Sequence, residues 1–388
     1  MNETDSLTEA YRRIDELLAI RARDHPRRVE PAWSDLLAAI DGLAARLRAL
    51  VGGGGPQEPA PVVLPGFYER PVFVVGHRKT GTTLLLDLLD AHPELVVLPG
   101  ESNHFITFLP RIDEVTADEV AAEAQAWWIL RLISPSGIPP FWAAGRWDAT
   151  PDPYELFTRE LLALVASYEL LDVLGLAAVA LHAARGGRGR PRAWVEKTPG
   201  QEHEVERILE RYPHAHFLHV VRDPRGVAGA LARLDAQTDR RTDMVEIGLT
   251  LDRSFAAAVG NLRRLGGDRY LVVRYEDLVA DPEPTMRGVA HVAGIDWDES
   301  LLVPTVGGVA ATSNSAWSER KVTGTIESRG VDLWRETLSR RSSEVVCAGA
   351  RASARSVGYD LPRPRPGAAA EVALRRARLA LSARRARR

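Results

Sequence analysis

The sequence predicts an α/β fold: a parallel β-sheet flanked by helices, with a helical insertion and helical segments toward both ends. Short apolar runs recur along the chain, and each gives way to a helical segment. The runs are apolar throughout rather than alternating, as strands buried on both faces require. The first of them leads through a glycine-bounded loop into a helix.

Residues 5–50 read as helical, with Leu17, Leu18 and Ile20, then Leu36, Leu37, Ile40 and Leu43 at three- and four-residue spacing. Gly52-Gly53-Gly54-Gly55-Pro56 is a linker that closes an N-terminal segment of residues 1–55. The α/β domain spans about residues 65–365. Its first strand is Pro71 to Val75, followed by a loop from Gly76 to Gly81. A helix from Thr82 to Ala91 comes next, with Leu84, Leu85, Leu88 and Leu89 inward. A second run, Leu95 to Leu98, ends at Pro99-Gly100-Glu101. Further strands are expected at Ala193 to Val195, His216 to Val221 and Tyr270 to Val273.

Between the second and third strands, a helical insertion of about residues 111–190 opens with a capping box, Thr116 and Glu119. Its aromatics (Trp127, Trp128, Phe141, Trp142 and Trp147) form the core of a helical subdomain or line a lid or acceptor pocket. The basic tail of residues 366–388 holds seven arginines between Leu374 and Arg388. A solvated, frayed end is the favoured reading, and a basic amphipathic helix touching an anionic membrane is the alternative.

The chain has 388 residues, 45% hydrophobic and 26% charged, which suits a globular protein and not a disordered or fibrous one. A formal net charge of −2 supplies no global field toward nucleic acid, so no nucleic-acid partner is expected. Cys347 is the single cysteine, which suits a reducing compartment. The acidic N-terminus lacks the pattern of a secretory signal, and no run approaches the roughly 18 apolar residues of a spanning helix. A cytoplasmic protein is expected.

Gly76-His77-Arg78-Lys79-Thr80-Gly81-Thr82-Thr83 lies between predicted strand and predicted helix, so backbone N–H groups and the positive end of the helix dipole face an anion there. The Gly-x4-Gly-x-Thr spacing is that of a nucleotide-binding P-loop, and the sheet is therefore of P-loop type. Thr82 stands where a nucleotide triphosphatase has lysine, and Lys79 sits inside the loop instead. Arg222, in His219-Val220-Val221-Arg222-Asp223-Pro224, follows a predicted strand, where a guanidinium fork can meet a phosphate or a salt-bridge partner.

Lys79-Thr80-Gly81-Thr82-Thr83 resembles the 5′-phosphosulfate loop of the sulfotransferases that use 3′-phosphoadenosine 5′-phosphosulfate (PAPS). Leu89 to Glu94, Leu-Asp-Ala-His-Pro-Glu, is similar to the tyrosylprotein and bacterial branch. The resemblance implies PAPS as donor and no metal. Lys79, with Arg78 beside it, would meet the phosphosulfate bridge, and Thr80, Gly81, Thr82 and Thr83 the 5′-phosphate. Arg222 resembles the family's 3′-phosphate residue, although Ala230 stands where the family has serine. Arg225 or a later basic residue would then compensate.

Trp194 to Pro199 resembles a Glu-Lys-Thr-Pro signature in which Lys197 neutralises charge on the moving group; a surface ion pair with Glu196 or Glu202 is its alternative. Arg274 to Leu278 matches the family and reads as structural. Ser318 to Trp334 resembles a loop closing over the cofactor, with Ser318, Arg320 and Lys321 as contacts.

An acceptor hydroxyl needs a base. Glu101 follows the second strand and resembles the catalytic Glu of tyrosylprotein sulfotransferases, in a longer loop, with His104 as the reserve candidate. His214, His216 and His219 imitate a metal-ligand run, but strand alternation splits them between two faces. The expected activity is sulfuryl transfer to a small-molecule, sugar, lipid or peptide hydroxyl. A P-loop kinase and a non-catalytic nucleotide-binding relative remain the other readings.

Overall fold

Five strands hydrogen-bond side by side in the computed structural model, which describes residues 64–98, 101–109, 160, 164, 173–187, 189–236, 241–311 and 324–386. They are β1 (Pro71–Val75), β2 (Leu95–Val97), β3 (Ala193–Lys197), β4 (His216–Val221) and β5 (Tyr270–Arg274). Their order is β2-β3-β1-β4-β5, and every pairing is parallel. The P-loop-type α/β reading therefore holds. The expected N-terminal helix, the glycine linker, most of the insertion, and Ser318, Arg320 and Lys321 lie outside the described residues.

Side-chain alternation gives the sheet two unlike faces. Val72 and Val74 of β1, Val195 of β3, Leu218 and Val220 of β4 and Val273 of β5 form an aliphatic face. Helices α1 (Thr82–Leu89), α6 (Tyr275–Ala280) and α7 (Pro282–Ala293) cover it. The opposite face is aromatic. Phe73 meets Phe105 and Trp194 edge-to-face, Tyr212 at a tilt and Phe217 in a stack, and Trp194 meets Tyr212 edge-to-face. The insertion contributes α2 (Val173–Ala184), and α3 (Val205–Arg211), α4 (Pro224–Ala236) and α5 (Met244–Leu265) follow β3 and β4. A short hairpin, β6 (Thr305–Val306) and β7 (Val309–Ala310), precedes α8 (Trp334–Thr337) and α9 (Arg340–Ala354).

Two expectations change. β3 runs on to Lys197, because Glu196 and Lys197 are polar yet have polar partners inside the fold. The tail is not frayed: α10 (Pro366–Ala386) buries Ala368 and Val372 against Val245 and Leu249 of α5 and Val345 and Ala348 of α9. One turn on, Arg376 donates to Asp252 Oδ2 at 3.2 Å and to Gly349 O at 3.0 Å, and Arg375 pairs with Asp243 at 3.3 Å. The helix is held by an apolar i, i+4 pair, Ala368 and Val372, and by two arginines that face carboxylates of α5 and its N-cap.

Gly76, where β1 becomes the loop, has φ 138°, and a Cβ there would press into the carbonyl oxygen of Val220. Gly76→Ala should cost about 3 kcal/mol of stability. Gly260→Ala, on an exposed turn of α5 with nothing within 4 Å of the added carbon, should instead gain about 0.5–1 kcal/mol. Urea midpoints at unchanged m-value check both.

Candidate active site

The strand order reverses beside β1, since the chain passes to β2 and β3 on one side and to β4 and β5 on the other. In such sheets the crevice at the carboxyl ends of the strands is where ligands bind. Charged side chains collect there, one strand end at a time. The Gly76–Gly81 loop follows β1, and Glu101 lies beyond β2. Lys197 is the last residue of β3, and Arg222 comes directly after β4.

The loop is tied at its base from two directions. Gly200 N donates to Gly76 O at 2.9 Å, and Gly76 N donates to the buried carboxylate of Glu202 at 3.2 Å. Glu202 also accepts from the Ser254 hydroxyl at 2.6 Å, beside His219, Tyr270 and Asn261. Thr80 N and its hydroxyl both turn inward to His77 O. Beyond them, the N–H groups of Gly81, Thr82 and Thr83 make no hydrogen bond to any described residue, which leaves the start of α1 open to an anion.

Lys79 has φ 68°, a left-handed conformation uncommon for a residue with a side chain. Its carbonyl accepts from Arg222 Nη1 at 3.1 Å. Burial lowers the Lys79 ammonium below its ordinary value. The charges of Arg78, Lys197 and Arg222 act the same way, and Glu101 acts against them. Four cations therefore converge with one carboxylate among them, and an incoming anion relieves their repulsion.

Lys197 is nearly buried. Alternation along β3 sends it to the aliphatic face and onto α1, where Nζ donates to Thr83 Oγ1 at 3.3 Å and to Glu101 Oε1 at 2.8 Å. It thus pairs with Glu101 and not with Glu196 or Glu202. The Glu101 side chain remains 45% exposed and borders the crevice. His104, the alternative base, is wholly buried against Phe105 on the aromatic face. Burial, helped by the charge of Arg211, pushes its ring down to about 3, so it stays neutral and away from the crevice.

Arg222 departs from the expected open fork. The residue is 6% exposed, and its guanidinium lies 4.1 Å over the Tyr275 ring. Nη2 donates to Gly330 O at 2.7 Å, while the buried Nε keeps an N–H with no partner among the described residues. Arg225 is bound to Asp223 at 2.6 Å and stacks on Trp334 at 4.4 Å, and Ala230 is buried in α4. Neither His216 nor His219 shares a partner with the other: His216 bonds to Val292 O, and His219 to Tyr270 and Ser254.

Sequence reasoning missed Asp87 and the use of Tyr275. Tyr275 carries Arg222 and packs against Gly81, where a Cβ would overlap its ring. Asp87 sits one turn after Thr83 on α1, an i, i+4 relation to the loop that could have been read.

Residues 71–299 match the model described as the Sulfotransferase family. A protein-tyrosine sulfotransferase of Drosophila melanogaster is 25% identical over 239 residues, covering 60% of this chain and 39% of the fly protein. An omega-hydroxy-beta-dihydromenaquinone-9 sulfotransferase of Mycobacterium bovis is 25% identical over 300 residues, covering 70% of this chain and 75% of that one. The sulfotransferase domain of the Synechococcus PCC 7002 olefin synthase superposes with a TM-score of 0.49 at 20% identity, covering 79% of this chain and all of that domain.

Burial, then the charge of Asp90, raises the Asp87 carboxyl from 3.8 to about 8, against the pull of Lys197. The folded chain holds a proton there that the unfolded chain releases above pH 4 or so. This stability is therefore complete at low pH and is lost progressively as pH rises toward 8. Asp87→Asn should raise stability by roughly 2 kcal/mol at pH 8 and change it little at pH 4, read from urea midpoints across that range.

Proposed function

The chain belongs to the sulfotransferase family, and we propose that it moves the sulfuryl group of PAPS onto a hydroxyl acceptor, with the crevice at the carboxyl ends of β1, β3 and β4 as its active site. One observation carries this reading. Lys79, Lys197 and Arg222, from three strand ends, surround the open amides of Gly81, Thr82 and Thr83, and Glu101 borders the same crevice.

These residues fit the donor's chemistry. Lys79 would face the phosphosulfate bridge, with the open amides of Gly81, Thr82 and Thr83 on the 5′-phosphate, while Thr80, bonded inward to His77 O, shapes the loop instead. The unpaired Nε–H of Arg222 would take the 3′-phosphate, together with Ser318 and Arg320. When bound, the donor supplies the sulfuryl group and a bisphosphate that carries the departing charge. Lys79 and Lys197 then stabilise charge that develops on oxygen, which is where a preorganised cation contributes most. Glu101, held by Lys197, takes the proton of the acceptor hydroxyl. The acceptor is a small-molecule, sugar, lipid or peptide hydroxyl; relatives bear the names of a tyrosine and a dihydromenaquinone sulfotransferase.

A kinase reading fares worse for a specific reason. In a P-loop triphosphatase, the hydroxyl at the position of Thr83 binds magnesium. Here that hydroxyl already receives the Lys197 ammonium, a built-in cation in the metal's place.

Calorimetry should show tight binding of adenosine 3′,5′-bisphosphate, unchanged by magnesium and stronger than that of ATP; preference for magnesium-ATP would replace this reading with the kinase. Lys79→Ala should lower turnover by roughly two orders of magnitude or more. Glu101→Gln should suppress turnover while bisphosphate affinity is kept, and full turnover in that variant would move the base elsewhere.

A further inference from the structure

Glu196 and Thr198 flank Lys197, are almost wholly buried, and have no part in the chemistry above. Alternation turns Glu196 away from Lys197, onto the aromatic face of the sheet, in register with Phe73. A buried carboxylate is a costly filler for such a place, where an apolar side chain would pack without desolvating a charge. Its hydrogen bonds show where it acts. Oε1 accepts from Ser102 N at 3.1 Å and from the Thr198 hydroxyl at 2.6 Å. The Thr198 oxygen in turn accepts from Asn103 N at 2.9 Å. The Ser102 hydroxyl then accepts from His104 N at 3.2 Å, so consecutive amides of one short segment are all held.

The segment needs holding. Asn103 is left-handed, with φ 52°, where the chain turns into the helical stretch His104–Phe108. Glu101 is the residue immediately before Ser102, and its carboxylate reaches the crevice from the irregular stretch that leads into the helical turn His104–Phe108. Burial raises the Glu196 carboxyl, and its bonds to Ser102 and Thr198 act against that rise.

We propose that Glu196 and Thr198 form a clamp on residues 101–104 that aims the Glu101 carboxylate at Lys197 and the crevice. Both are positioning residues acting through Glu101, and the proposal rests on Glu101 being the base. One strand end then does two jobs. Lys197 supplies the cation on one face of β3, and its two neighbours set the base from the other.

Replacing a buried carboxylate can unfold a chain, so the test falls on Thr198, where T198V keeps the shape and removes the hydroxyl, and T198S restores it. Three quantities are measured for wild type and both variants. These are amide exchange at Ser102 and Asn103, affinity for adenosine 3′,5′-bisphosphate, and consumption of the phosphosulfate donor with 4-nitrophenol or water as acceptor. T198V should exchange both amides at least about tenfold faster and lose about tenfold or more in donor consumption. Its bisphosphate affinity should stay within about twofold of wild type, and T198S should match wild type throughout. Unchanged exchange in T198V overturns the clamp, and fast exchange with full donor consumption overturns its positioning role. A wild type that neither binds the bisphosphate nor consumes the donor overturns the sulfotransferase reading and the base with it; the exchange rates then decide the clamp by themselves.

Discussion

The alternation of side chains along β3 is the constraint on which the crevice depends. Because successive residues face opposite ways, Lys197 lies over α1 and meets Thr83 and Glu101, while Glu196 lies among the aromatics. A shift of one residue in pairing with β1 would exchange the two and set a carboxylate against the Gly76–Gly81 loop. The register is pinned on both sides of that point, by Trp194 opposite Pro71 with its indole donating to Tyr68 O, and by the aliphatic packing of Val195. The chemistry of the crevice is thus secured by ordinary core packing a few residues away.

The loop itself is held in an unfavourable state by its neighbours. Lys79 keeps a left-handed backbone, and several positive charges gather around it. Arg222 is one of those charges, but it also holds the Lys79 carbonyl, and its guanidinium rests on the ring of Tyr275. Glu202, behind Gly76, uses up the first amide of the loop and leaves those of Gly81, Thr82 and Thr83 facing outward. The arrangement resembles a socket: closed at the back, positive at the mouth, and strained until an anion enters.

Much of this was legible in the sequence, for identifiable reasons. Buried parallel strands are continuous apolar runs, so β1, β2, β4 and β5 could be placed almost to the residue. β3 was read two residues short because Glu196 and Lys197 look like a strand's exit. They are inside because each has polar partners contributed by residues 101–103. The pairing of Lys197 with Glu101 could not be read, since nearer carboxylates at Glu196 and Glu202 are the obvious partners until the faces of the strand are known. The docked α10 was hidden for a similar reason: its arginines read as a solvated tail, and the carboxylates that receive them, Asp243 and Asp252, lie far back in the chain. Arg222 was found as a residue, but its closure on backbone carbonyls leaves no trace in composition or spacing.

The bridge from Arg222 to Lys79 and Gly330 joins parts of the chain 143 and 108 residues away from it in sequence. Contacts of such separation are slow to form, because the intervening chain must be ordered before they can close. During synthesis, the sheet and the loop after β1 can assemble well before residue 330 has left the ribosome, but the guanidinium will have no second carbonyl to bind. A nascent chain therefore passes through a period in which its sheet is largely present and Arg222 holds only one of its two carbonyls, so the loop after β1 is still unlatched.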